Sequence, residues 1–278
     1  MKTALIAWIK KHQLISFFVL TYLITFKVQF LFAFLQPSKP MQNWSLVWFF
    51  SVFSPSISAL IIAAVIGGRS EVKRLLSGFT RWKVGLRWYF AAAFLFIGPL
   101  LITLIYMALG NSNPVSLAGI TLISFLGQVV FNFFSGPFSE ELGWRGFALP
   151  RLQMKHNALV SSLILGVIHT FWHLPLYFIA GSSQMGIPLP IYLVLVTSVN
   201  IYINWLYNNT RGSLVIAVLA HFAFDATGLL TEYLKLMPPM LFNMTAGPML
   251  GMLVIVIVIV FGAKHLSKKP ASELPVME

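Results

Sequence analysis

Residues 117–145 read LAGITLISFLGQVVFNFFSGPFSEELGWR. Positions 117–138 carry no charged side chain, and a run of that length crosses the roughly 30 Å hydrocarbon layer of a bilayer as one helix. Just beyond it stand Glu140, Glu141 and Arg145, in a chain with only seven acidic residues. An ionisable group at membrane depth costs at least about 2.5 kcal/mol on insertion scales, so such a group is read first as functional and a partner is sought for it.

The rest of the chain reads the same way. Of its 278 residues 58% are hydrophobic and 9% charged, with 25 Phe and 8 Trp, and the mean hydropathy is +0.83. A transmembrane barrel would show short alternating segments instead of long runs. The expected fold is therefore an all-α polytopic membrane protein, a single integral membrane domain over 1–278. About eight transmembrane helices are expected, near 14–35, 46–67, 88–110, 117–138, 158–180, 188–207, 213–231 and 244–263. The fourth is expected to continue as helix into the Glu140 region.

The net charge of +12 does not point to nucleic acid, because the cations sit at the ends of apolar runs without interleaved stacking aromatics. An N-terminus in the cytoplasm puts sixteen of the nineteen Lys and Arg on one side, leaving Lys39 and Lys235 opposite and Lys27 within a span. Both termini are then cytoplasmic, with 267–278 as a short solvated tail. Residues 69–87 alternate basic positions with Leu75, Leu76, Phe79, Trp82 and Val84, either as an interfacial segment on anionic lipid or as an ordinary positive loop. The absence of Cys excludes disulfides, thiolate metal sites and a cysteine nucleophile. Leu14–Leu35 is too long for a signal-peptide core and should remain as the first span. Asn43, Asn208 and Asn243 begin glycosylation-type triplets, to which no role is given.

Chemistry has to come from the few polar groups in the bundle. Glu141 and Arg145 share a helical face four residues apart, which suits an ion pair. Glu140 then points elsewhere, a candidate general base. His169 and His173 are one turn apart in the fifth span, followed by Pro175, which removes a hydrogen bond to the Phe171 carbonyl and should kink the helix beside His173. His173 is read as facing a wet cavity through that kink, and His169 as a packing histidine bonded to a neighbouring helix. His221 and Asp225 share a face of the seventh span and address one cavity, with His173, His221 or Arg145 as candidate partners of Asp225. Asn200, Asn204 and Asn208 form a stripe at i, i+4, i+8, suited to hydrogen bonds between helices.

These motifs, in this order and on separate spans, resemble the CPBP family of intramembrane endopeptidases, which includes the CAAX prenyl proteases and the Abi or bacteriocin-immunity proteins. Glu140-Glu141-x-x-x-Arg145 matches its EExxxR motif, Trp172-His173-Leu174-Pro175 its second histidine motif, and His221-x-x-x-Asp225 its final HxxxN or HxxxD. The likeness covers about Arg69 to Leu230, so 69–230 is the expected protease-like core. His169 stands where the family usually has a bulky apolar residue, and Asp225 where eukaryotic members have Asn.

The resemblance implies peptide-bond hydrolysis in which Glu140, assisted by His173, activates water, while His221 and Asp225 stabilise the oxyanion. Glu141 and Arg145 would support the motif helix. Zinc is chemically open, with Glu140, His169, His173, His221 and Asp225 as candidate ligands, but the reading favours no required metal. The expected partners are a peptide or membrane-protein substrate and the lipid bilayer, in the plasma membrane of a bacterium. Two other readings stand beside it: an immunity or partner-binding protein without required catalysis, and a proton-coupled transporter, for which the expected inverted repeats or paired broken helices are not evident.

Overall fold

The computed structural model describes residues 2–35, 46–111 and 121–275. Lys39, Asn43 and the end of the tail lie outside the described residues, as does the expected start of the fourth span. Among the described residues eight helices are long and apolar enough to cross a membrane, and no strand occurs. The chain is a multi-pass membrane protein. Its helices are α1 (Lys2–Lys11), α2 (Gln13–Leu35), α3 (Leu46–Val52), α4 (Ser54–Leu76), α5 (Leu86–Tyr106), α6 (Leu122–Ser135), α7 (Pro137–Glu141), α8 (Leu149–Gln153), α9 (Ala158–Trp172), α10 (Leu189–Asn209), α11 (Leu214–Tyr233) and α12 (Pro239–Phe261).

Three expectations need correction. The second span does not run from 46 to 67. Helix α3 ends at Val52, and α4 begins with Pro55 in its first turn, where a missing N–H leaves no bond unmade. Helix α4 then runs on to Leu76 through Gly68, whose φ of 62° favours glycine. The first part of the basic 69–87 segment is therefore helix: Leu75 is buried, and Glu71 pairs with Arg74 at 2.6 Å and with Arg151 at 2.7 Å, while Leu76 and Trp82 stay exposed.

The fourth span does continue towards Glu140, but not as one rod. Pro137 cannot donate to the preceding turn, and the chain breaks at Gly136 before α7. After Glu141 a π-helical turn, Leu142–Ala148, leads into α8. In the fifth span, finally, the α-helix gives way to a 3-10 turn at His173. Helix α9 is capped at its start by Asn157, whose side chain accepts from the Val160 N–H at 2.8 Å, and it ends at Trp172. Leu174–Phe178 follows as a 3-10 turn, because Pro175 has no N–H to carry the α pattern on.

Helix α10 is the most buried of the eight spans and packs between α9 and α12. A Cβ on Gly166 of α9 would lie 2.8 Å from Thr197 Cα of α10, so the small residue lets the two backbones close up. The other faces carry large exposed apolar side chains, among them Phe34, Ile123 and Ile259. Water would penalise such a surface, whereas hydrocarbon matches it.

Candidate active site

The motif turn Ser139–Arg145 is wedged against the start of α4. Ser56 Oγ donates to the Ser139 carbonyl at 2.6 Å, and a Cβ on Gly143 would lie 2.5 Å from the Pro55 carbonyl oxygen, so only glycine allows this approach. The packing holds Glu140 and Glu141 in fully enclosed positions, 3% and 0% exposed.

Glu141 and Arg145 form the expected ion pair at 2.8 Å, with both side chains buried. Arg145 also donates to Asn204 Oδ1 at 3.2 Å and to Asn200 Oδ1 at 2.9 Å. Its guanidinium is thus satisfied by Glu141 and two asparagines, which sets aside Arg145 as the partner of Asp225. Glu141 Oε1 accepts a second bond, from His221 Nδ1 at 2.6 Å. The asparagine stripe makes its bonds between helices: Asn204 donates to Ser162 Oγ at 2.9 Å, and Asn208 to Gln153 Oε1 at 3.1 Å.

Glu140 turns the other way. Its Oε2 accepts from Trp144 Nε1 at 3.2 Å and lies 2.7 Å from His169 Nε2. His169 does bond to a neighbouring helix, as a packing histidine would, through Asn200 Nδ2 at 3.1 Å from its Nδ1. Its second nitrogen, however, reaches Glu140, so this imidazole and not His173 makes the direct hydrogen bond. His173 stacks on the His169 ring with centroids 5.0 Å apart and donates from Nδ1 to the His169 carbonyl at 3.0 Å. One ligand-type atom from each of Glu140, His169 and His173 falls within 4.8 Å of the others.

Hydrogen-bond polarity assigns the tautomers. Arg145 only donates, so it fixes the oxygen end of Asn200, and the amide nitrogen must face His169 Nδ1. That Nδ1 is an acceptor, and the ring proton sits on Nε2, directed at Glu140. In His173 the proton sits on Nδ1, leaving the Nε2 lone pair free. Trp144 and Asn200 were not singled out as part of the site from sequence. The i, i+4 spacing of Glu140 and Trp144 and the position of Asn200 in the polar stripe were the available signals.

Asp225 Oδ2 lies 3.6 Å from His221 Nε2, too long for a hydrogen bond. A Cβ on Gly136 would meet that same Oδ2 at 2.9 Å, so the break in the fourth span makes room for the carboxylate. Glu140, His173, His221 and Asp225 line one cavity of about 990 Å³, together with Arg145 and His169.

Two comparisons bear on the segment that carries this site. Residues 122–227 match the family model for type II CAAX prenyl endopeptidases, Rce1-like. That segment is similar to the Rce1-like type II CAAX prenyl endopeptidases. The Rce1-like match begins at α6 and ends just past Asp225, so it takes in Glu140, Glu141, Arg145, His169, His173, His221 and Asp225. CAAX prenyl protease 2 of Methanococcus maripaludis is 23% identical over 224 residues, covering 75% of this chain and 81% of that protein.

Proposed function

We propose that the protein hydrolyses a peptide bond of a membrane-associated protein or peptide, with Glu140 as general base. The observation that carries this reading is the division of labour on the Glu140 carboxylate. Oε2 is held by two donors, His169 and Trp144, while Oε1 takes no hydrogen bond from the described residues. The site presents that oxygen and the free His173 Nε2 as two acceptors. Glu140 and His173 each place one ligand-type atom within 4.8 Å of the other, so the two residues are near enough for one water to reach both.

The water gives one hydrogen bond to each acceptor and keeps a lone pair for the substrate carbonyl. As its oxygen bonds to that carbon, Glu140 takes the proton and later delivers it to the departing amide nitrogen, so the C–N bond breaks with no net charge left behind. His221 is the candidate donor to the oxyanion. Its Nδ1–H is spent on Glu141, so donation from Nε2 requires the doubly protonated ring, which the two flanking carboxylates Glu141 and Asp225 favour. Asp225 itself can donate only when protonated.

A metal fits this arrangement poorly. A catalytic zinc takes three protein ligands, yet the polarity of Asn200 puts a proton, not a lone pair, on His169 Nε2. We therefore read the chemistry as carried by side chains, in a plasma-membrane protein with both termini in the cytoplasm.

The test uses purified protein in proteoliposomes with quenched-fluorescent peptides, farnesylated or unmodified at a C-terminal Cys-aliphatic-aliphatic-Xaa sequence. Glu140→Gln should lower kcat by about 10²- to 10⁴-fold, the range supplied by general bases, while 1,10-phenanthroline leaves the wild-type rate unchanged. Cleavage by Glu140→Gln at the wild-type rate overturns the assignment of the base. Loss to the chelator with recovery on adding zinc overturns the metal-free reading.

A further inference from the structure

The catalytic groups make up only part of the cavity wall. Helix α6 supplies another part of it, and α6 has an unusual exposure: none of its residues is buried. Ile123, Leu126 and Val130 are exposed on the side that meets hydrocarbon. Gly127, Gln128, Phe131, Asn132 and Ser135, which recur at helical spacing, line the cavity. A Cβ on Gly127 would meet nothing within 4 Å, so there is open space beside this face.

Two carboxamide oxygens at the cavity have no partner among the described residues. Gln29 of α2 is 2% exposed, and its Oε1 is enclosed without a hydrogen bond, although its Nε2 donates to Ser51 Oγ of α3 at 3.3 Å. Asn132 Oδ1 is likewise enclosed and unbonded. Both residues line the cavity that holds Glu140. Helix α3 connects the two, since Phe49 meets the Phe131 ring at 6.1 Å. Buried acceptors without partners are rare in folded proteins and call for a specific explanation.

We infer that Gln29, Gln128 and Asn132 form a strip that hydrogen-bonds the main chain of an extended peptide substrate beside Glu140. Gln128 and Asn132 are one helical turn apart, about 6 Å along the axis. Alternate residues of an extended chain are about 6.7 Å apart and present their main-chain groups on the same side. A peptide drawn into an apolar site carries N–H groups that need acceptors, and the Gln29 and Asn132 carboxamides, whose oxygens are enclosed in this structure, supply them by turning those oxygens into the cavity. Recognition would be of backbone and therefore tolerant of side-chain sequence.

This inference rests on the peptide-hydrolase reading, and its test is arranged so that the two can fail separately. Binding of a fluorescein-labelled unmodified peptide to the Glu140→Gln protein in detergent is measured by anisotropy, with each amide N–H in turn replaced by an ester. The ester should weaken binding about three- to tenfold at one or two positions, the worth of a single neutral hydrogen bond. Gln29→Leu or Asn132→Leu should abolish that penalty at one position each. Gln128→Leu, at an exposed site, should weaken binding by a similar factor and serves if a buried variant fails to fold. Ester penalties that persist unchanged in all the variants that fold overturn the strip, as does an absence of peptide binding. A clear ester pattern in a protein whose wild type cleaves no peptide supports the strip and sinks the hydrolase.

Discussion

Asn200 carries no charge, yet its two ends are not interchangeable. Arg145 claims the oxygen at 2.9 Å, and the nitrogen is left to face His169 Nδ1 at 3.1 Å. Asn200→Asp keeps an acceptor for Arg145 but places a second acceptor opposite Nδ1, which draws the ring proton there and leaves Nε2 bare against Glu140. The expected outcome is a fall in kcat of about 10²-fold or more, since a wrong tautomer disables an otherwise intact site, with little change in Tm. Nitrogen-15 spectra of labelled histidine check it directly: the His169 proton should move from Nε2 to Nδ1. An unchanged spectrum with normal turnover removes Asn200 from the mechanism as a positioning residue.

Among the helices, the decisive contact is the one between the motif turn and the start of α4. A methyl group at residue 143 has nowhere to go, because the Pro55 backbone stands 2.5 Å away. Gly143→Ala should destabilise the protein by about 1–3 kcal/mol, the usual range for overpacking, and should separate Glu140 from His169. Gly85→Ala, where the added atom meets only Arg87 Cγ at 3.9 Å, should leave the thermal melt unchanged. Equal melts for the two variants would show that the wedge does not hold the turn.

The same contact explains what could and could not be read from the chain. The spans were legible because the solvent selects for apolar length, and Glu140, Glu141 and Arg145 were legible because charge at that depth is costly. Helix rotation was not. Whether His169 or His173 meets Glu140 depends on how α9 turns against α7 and α10, and that is set by Gly143 against Pro55 and Gly166 against Thr197, which are distant in sequence. The break at Gly136 and the π-helical turn were equally hidden. Apolar periodicity hardly changes across them, and only Pro137 and Pro150 hint that the backbone pattern shifts.

For the whole molecule, the distribution of Lys and Arg predicts one orientation in the bilayer. A chain without cysteine makes this simple to test. Single cysteines at Lys11, Arg81 and Lys268 should react with a membrane-impermeant maleimide from the same face, and a cysteine at Lys235 from the other. Labelling of Lys11 and Lys268 positions from opposite faces would contradict both the even number of spans and the cytoplasmic termini. The fourth span, whose helix α6 lines the cavity, is the least buried of the eight.

One oxygen atom, Glu141 Oε1, receives both the Arg145 and the His221 hydrogen bonds. Two motifs eighty positions apart therefore hang on a single hinge pin. Loss of either donor lets that carboxylate swing and disturbs the other arm. Epistasis is the consequence: Arg145→Lys combined with His221→Gln should impair the protein less than the product of the separate defects, because the second change strikes a joint that the first has already loosened.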